Sequence, residues 1–389
     1  MSYLNYLLFR LFTFPLQFLP YPALHALGKI LGRLLYTAYP KYRKRALSNL
    51  ALATSLNLTS DEIPLLAKKS LENLAITVLE YPRLFRESDI SRIASCENPE
   101  TAATVLQQGK GVIFFVGHQA NWEVLFLEGT SRMPGVAIGR PIANKKLYNW
   151  TLKLREKFGG TIIEPRGAYR GGVKALKEGK FIGIVGDQGM PDSNFSSPFL
   201  GREAWTSPLP ALLSKRTGCP IIVATIRREG CKYRIRYSDP IEPREDIEEQ
   251  MQEVLSLFEK SICAKPHEWL WIHNKWKQQK PGILKKQFRH DAVALIFGSN
   301  PKHVTWLAKI RELYPREQLT AFVPEGLSVD SVCELKTYTD EKEILVTDYR
   351  FKLVIDFTHN KRILHHFKKL SAFTALSFSH PEEFIHHAR

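Results

Sequence analysis

Gly111-Val112-Ile113-Phe114-Phe115-Val116-Gly117-His118-Gln119-Ala120-Asn121-Trp122-Glu123 reads as an apolar strand, a turn, and the first turn of a helix. A strand that ends in Gly-His delivers an imidazole to the rim of a sheet. Glu123, one helical turn on, is expected to fold back towards that imidazole. There it would fix the tautomer and stabilise the imidazolium that forms when His118 takes a proton. This is a base-and-orienter pair without a nucleophilic serine. The alternative is a satisfied polar residue at a strand end, because His-x4-Glu by itself matches many chains.

Outward from this strand the pattern alternates strands and helices. Strands are expected at Val112–Val116, Val136–Gly139, Thr161–Ile163, Phe181–Val185, Ile221–Ile226 and Tyr233–Tyr237. Helices are expected near Tyr148–Phe158, Gly171–Lys177, Leu209–Thr217 and Glu245–Ala264. Short loops between them argue for an α/β layered fold, and the Ile221–Ile226/Tyr233–Tyr237 hairpin makes the sheet mixed. Upstream, Ile63, Leu66, Leu71, Leu74, Ala75, Val78 and Leu79 recur at helical spacing, with Thr59 or Ser60 as a cap and Pro82 as a stop. That segment reads as a packing helix without chemistry.

The amino terminus from Tyr3 to Pro20 is apolar and aromatic but broken by Arg10 and Pro15. A charge at the centre of a membrane helix costs about 2.5–3.5 kcal/mol on insertion scales. Residues 1–25 therefore read as a retained anchor in or through the bilayer interface, with an ordinary buried first helix as the alternative. Lys29, Arg33, Lys41, Arg43, Lys44 and Arg45 follow and favour the cytoplasmic side.

The chain has 389 residues and a formal net charge of +16, which suits anionic membrane, acidic protein or nucleic acid. No nucleic-acid-binding signature is present, which leaves the first two. The five cysteines are scattered and odd in number, arguing for a reducing compartment and against a disulfide framework or zinc site. His365-His366 point about 100 degrees apart on a helix and lack completing ligands, so no metal is expected.

Further residues form an ordered set: Arg140-Pro141 with Asn144, Arg155, Gly159-Gly160 and Arg166, then Gly186-Asp187-Gln188-Gly189, then Phe199-Leu200-Gly201 with Ala204 and Thr206. Pro266-His267-Glu268-Trp269-Leu270-Trp271-Ile272-His273-Asn274-Lys275-Trp276-Lys277 closes it. In this order they resemble the late (secondary) acyltransferases of lipid A biosynthesis, whose pattern includes His-x-x-Asn-Trp-Glu and Pro-x-x-Trp-x-Trp-x-His-x-x-Trp-Lys. The resemblance covers about the first 280 residues. It implies a glycerolipid-acyltransferase-like domain over residues 26–285, acyl carrier protein as donor partner, a lipid A precursor as acceptor, membrane lipid as surroundings, no cofactor, and a place on the cytoplasmic face of the bacterial inner membrane. It also brings Asn121, Arg140, Asn144, Arg155, Arg166, Asp187, Gln188, Thr206, Trp271 and His273 into the functional set beside His118 and Glu123.

Acyl transfer to a hydroxyl needs a base, an oxyanion donor and a dry pocket for a long chain. His118 is the expected base and Glu123 its orienter. The oxyanion donor is one of Arg140, Arg155 and Arg166, or a backbone N–H near Gly117. Plain alternatives stand beside these roles: Arg155 on a solvated helix face, Asp187 as a turn residue, and Trp269, Trp271, Trp276 and Lys277 as core packing with a charged cap. Rival functions are a glycerolipid or mannolipid acyltransferase using acyl-CoA, and an inert membrane scaffold.

After the Gln279-Lys280-Pro281-Gly282 turn, residues 286–389 restart with a strand at Ala292–Phe297, a Gly298–Pro301 turn and a helix through Tyr314. Strands at Leu319–Val323, Leu353–Asp356 and Ala375–Ser379 and a helix near Lys361–Leu370 follow. Leu353-Val354-Ile355-Asp356-Phe357-Thr358-His359-Asn360-Lys361-Arg362 resembles the first Rossmann-like half of heptosyltransferase-type glycosyltransferases. Only that half is present, which argues for a docking module or relic, and a chain ending near Lys285 is expected to fold and retain transfer.

Overall fold

The structure, a computed structural model, describes residues 3–279, 282–327, 329 and 332–389; Lys280 and Pro281 of the expected inter-domain turn lie outside them. Two compact units divide the chain. The first comprises Met1–Leu35, Lys68–Gln188 and Thr206–Leu270, the second Tyr36–Ala67, Gly189–Trp205 and Trp271–Arg389. This division differs from linear cuts at residues 25 and 285, because two earlier segments and residues 271–285 join the tail.

The first unit is built on a seven-stranded sheet in the order Ala94–Cys96, Lys232–Tyr237, Ile221–Glu229, Val112–Val116, Phe181–Val185, Gly135–Ile138, Thr161–Ile163. The last five strands run parallel. Lys232–Tyr237 pairs antiparallel with Ile221–Glu229 as the expected hairpin, so the sheet is mixed. Val112–Val116 is buried at every position, as its unbroken apolar run requires at the centre of a sheet covered on both faces.

The helix expected from Ser60 runs from Glu62 to Leu84. Its start is a reciprocal box: Thr59 N–H donates to Glu62 Oε2 at 2.8 Å, and Glu62 N–H to Thr59 Oγ1 at 3.3 Å. Pro82 does not stop it. In the last turn a proline forfeits only one helical bond, to the carbonyl of Val78, and Val78 lies on an exposed face. The N-terminal segment forms a helix, Tyr3–Thr13, one tight turn at Pro15–Phe18, and a helix Tyr21–Ala38. Among the described residues no helix is long and apolar enough to cross a membrane. Leu4, Leu11 and Phe12 are nonetheless 62%, 67% and 74% exposed.

The second unit holds a five-stranded sheet, parallel throughout, in the order Glu334–Tyr338, Gln318–Pro324, Ala292–Ile296, Leu353–Asp356, Thr374–Ser377. Its central strands alternate between two cores. Val293 and Leu295 pack with Phe384 on one face, Ala294 and Ile296 with Ile363 and Phe367 on the other. The Ser196–Phe199/Arg202–Trp205 hairpin and helix Pro40–Leu52 belong to this unit. Ser48 Oγ donates to the Arg350 carbonyl at 2.6 Å, and Lys44 Nζ to the Ala372 carbonyl at 2.7 Å. Buried Lys352 is held by Asp291 at 2.7 Å, with Asn49 Oδ1 at 2.7 Å and Asn274 Oδ1 at 3.2 Å. Burial pushes its amine down to about 8 against the pull of Asp291.

These contacts run against independent folding of a chain ending at Lys285. Such a chain loses Arg350, Lys352, Asp291 and Ala372, and Ser48, Asn49 and Arg202 lose the partners they hold there. We expect it to melt at markedly lower temperature than the full chain. Lys352→Met leaves the Asp291 carboxylate buried without its cation and is expected to cost about 3–5 kcal/mol in denaturant unfolding. Adding Asp291→Asn should recover much of that loss, and a double variant no more stable than the single would show that the charge is not what matters.

Candidate active site

The central strands set the site by register. Val112–Val116 and Phe181–Val185 pair in parallel with Val116 opposite Val185, so the residues that follow each strand also stand side by side. Those residues are Gly117-His118 and Gly186-Asp187. A side chain at Gly117 would lie 2.0 Å from the ring of Phe258, and one at Gly186 2.2 Å from the ring of Phe115, so any larger residue at either position forces the packing there to shift. Asp187, fully buried, then accepts the His118 backbone N–H at 2.7 Å on one oxygen and faces His118 Nδ1 at 2.8 Å with the other. Trp269 Nε1–H adds a third hydrogen bond to Asp187 at 2.8 Å. Thr206 Oγ1, also buried, donates to the Gly186 carbonyl at 3.1 Å and ties down the same turn. The Trp122 ring stands edge-on to the imidazole at 4.8 Å.

Glu123 does not take the orienting role expected of it. Its carboxylate is buried and receives Arg155 Nε at 2.8 Å, Arg155 Nη2 at 2.5 Å, Tyr81 OH at 2.5 Å and Trp122 Nε1 at 3.2 Å. The reason lies one residue upstream. Asn121 caps helix Trp122–Arg132, accepting from the Glu123 and Val124 N–H groups, while its amide donates to buried Glu80 at 2.7 Å. Ala120, at φ +44°, turns the chain sharply before that cap, a conformation costing a non-glycine residue about 1–3 kcal/mol. The turn sends Glu123 to Arg155, at the end of helix Lys145–Arg155, which Asn144 caps.

Charge follows this geometry. Burial alone would lower the His118 pKa, but the charge and hydrogen bond of Asp187, helped by Glu123, hold it above its ordinary value. Burial likewise pushes the Glu123 carboxyl up, and the Arg155 guanidinium outweighs it, keeping Glu123 ionised. Asp187 is an acceptor only, so Nδ1 carries the proton and Nε2 is left as the basic nitrogen.

A cavity of about 390 Å³ opens at His118 and runs between apolar walls that include Phe114, Val116, Leu125, Phe126, Ile162 and Phe181. Arg140, Arg155 and Gln188 line it, and Gln188 Nε2 lies 3.5 Å from His118 Nε2. Arg166 sits exposed on the Pro165–Gly167 turn and is not part of the lining. Trp271 and His273 belong to the second unit, where Asn49 Nδ2 donates to both of their carbonyls at 2.7 Å.

Residues 1–278 match the family model described as bacterial lipid A biosynthesis acyltransferase. The chain belongs to this family. It is similar to the lipid A biosynthesis lauroyltransferase of Escherichia coli K12, 24% identical over 273 residues that cover 68% of this chain and 89% of that protein. It is also 24% identical over 271 residues to the lipid A biosynthesis palmitoleoyltransferase of the same strain and to a lipid A biosynthesis acyltransferase of Shigella flexneri, covering 68% of this chain and 88% of each.

In this lipid A acyltransferase, sequence reasoning put Asp187 in the functional set only through resemblance and did not see it as the partner of His118. A signal was there: Val116-Gly117-His118-Gln119 and Val185-Gly186-Asp187-Gln188 repeat one pattern at the ends of two apolar strands. Tyr81 and Glu80 escape sequence reasoning because the periodicity of their helix reads as packing alone, although two polar residues interrupt it there.

If Asp187 holds the imidazole, His118 in labelled wild-type protein should titrate by NMR above the ordinary histidine value of about 6.5. In Asp187→Asn burial acts with less opposition, and the pKa should fall. An unchanged titration would mean that the pair is not formed in solution.

Proposed function

We propose that the chain transfers a fatty acyl group from acyl carrier protein to the 3-hydroxyl of an acyl chain on a lipid A precursor, at the cytoplasmic face of the bacterial inner membrane and without a cofactor. The observation that carries this reading is the His118–Asp187 pair, with His118 lining a largely apolar cavity, in a chain of this family. His118 Nε2 takes the proton of the acceptor hydroxyl as its oxygen attacks the thioester carbonyl. Asp187 stabilises the imidazolium so formed. Arg140 and Gln188, on the cavity wall, face the developing oxyanion. When the tetrahedral intermediate collapses, the C–S bond breaks and the His118 proton passes to the departing thiolate. The acyl chain fills the apolar cavity, which keeps water from competing with the acceptor alcohol.

Glu123 and Arg155 act as one buried unit that holds the cavity wall, and near His118 the pull of the carboxylate is opposed by the guanidinium. The exposed apolar face of helix Tyr3–Thr13 suits a place in the bilayer interface, and the +16 charge suits both an acidic carrier protein and a phosphorylated lipid. For the second unit, five parallel strands, the three central ones buried on both faces, support the Rossmann-like reading of its sheet.

Mass spectrometry of lipid A from cells with and without the gene tests the assignment, with loss of one acyl chain as the expected result. Purified enzyme offered one acyl chain on carrier protein and on coenzyme A separates this reading from an acyl-CoA-dependent transferase. His118→Ala should lose roughly 10²–10⁴-fold in rate while staying folded. Because the imidazole must be neutral to act, wild-type rate should fall below a pH set above about 6.5. Asp187→Asn should move that acid limb lower while reducing the maximal rate.

A further inference from the structure

A second cavity, of about 500 Å³, lies in the first unit between the N-terminal helix and helix Lys145–Arg155. Lys146, Asn149, Trp150 and Lys153 line it, and their spacing of three, one and three places them on a single helical face. Arg10 enters from the opposite wall, its guanidinium 5.5 Å from the Trp150 ring, and the Lys146 ammonium stands 3.9 Å from the ring of Tyr3. Among the described residues no carboxylate lines this cavity. Three cations facing one cavity without an anion repel one another, and a bound anion would relieve that repulsion.

Two more observations fix the kind of anion. The helix that supplies Arg10 exposes Leu4, Leu8, Leu11 and Phe12 on another face, so one wall of the cavity also carries an apolar strip suited to lipid. At the back of the cavity Trp150 stacks on Tyr81, with ring centres 6.5 Å apart, and the Tyr81 hydroxyl donates to Glu123. Trp150, Tyr81 and Glu123 thus run in contact from the wall of the cationic cavity to the wall of the cavity at His118.

We propose that this cavity binds a phosphate group of the glycolipid acceptor, which positions its hydroxyacyl chain for His118. The inference rests on the acceptor class proposed above. Lys146 and Lys153 supply charge to the phosphate, Arg10 a forked pair of N–H donors, and Asn149 a neutral amide donor. Lys153 is exposed, so its removal leaves the fold intact while taking one charge from the site.

The test is equilibrium binding of a phosphorylated lipid A precursor, and of the same lipid after phosphatase treatment, to the full chain in neutral detergent micelles. Wild type should bind the phosphorylated form at least about tenfold more tightly. Lys153→Ala should shrink that preference and the triple variant Arg10→Ala/Lys146→Ala/Lys153→Ala should abolish it, with thermal unfolding confirming the fold of each. Equal binding of both lipids by wild type, an undiminished preference in Lys153→Ala, or a preference that survives in the triple variant overturns the site. Displacement by phosphatidylglycerol at the same mole fraction as the precursor also overturns it, since the cavity would then take any anionic lipid. Transfer kinetics keep the two readings apart. Phosphate-dependent binding without any transfer would remove the proposed reaction and leave the site. Transfer with no phosphate preference would remove the site and leave the reaction. Where both hold, the variants should raise KM with little change in kcat.

Discussion

Everything at the candidate site hangs on the Asp187 carboxylate. It is fully buried and accepts from the His118 N–H, from Nδ1 of the same residue and from the Trp269 indole. Those donors come from segments far apart in the chain, the end of one central strand and the turn after helix Ile247–Ala264. A single buried anion thus locks the position and tautomer of the imidazole. The glycines at 117 and 186 are what let two strand ends approach closely enough for this to happen. Cβ atoms there would collide with Phe258 and Phe115, and either the rings or the turns carrying His118 and Asp187 would have to move.

A second charge pair lies beside the first and has a different job. Glu123 and Arg155 are buried together, with Tyr81 and Trp122 completing the carboxylate, so their charges offset each other at close range. Such a pair adds little net stability over an apolar contact, because desolvation cancels much of the attraction. Its effect is geometric. It clamps the end of helix Lys145–Arg155 to the start of helix Trp122–Arg132, and both helices contribute to the wall of the apolar cavity.

Much of this was legible in the sequence where one physical signal dominated. Val112–Val116, Phe181–Val185, Leu209–Thr217, Leu353–Asp356 and Lys361–Leu370 occupy the expected bounds, since unbroken apolar runs and clear helical periodicity leave little choice. The strands that were missed are short or partly polar. Ala94–Cys96 and Glu334–Tyr338 lie at sheet edges, where only one side is paired and charged residues such as Glu334 and Lys336 are tolerated. The Ser196–Phe199/Arg202–Trp205 hairpin contains Pro198, which argues against a strand in sequence but is harmless in a two-stranded ribbon.

The site shows the same division. His118 could be placed at a strand end from local pattern alone, whereas its partner could not, because Asp187 is 69 residues distant and joins it only through sheet register. Glu123 was the nearer carboxylate and was assigned the role by proximity in sequence. Helix geometry explains why it does not perform it. With Asn121 as cap, the first turn directs the Glu123 side chain along its own helix face towards Arg155, and the capping amide is itself tied to Glu80. Local sequence therefore specifies where the imidazole is presented, while the pairing of parallel strands decides which acid stands beside it.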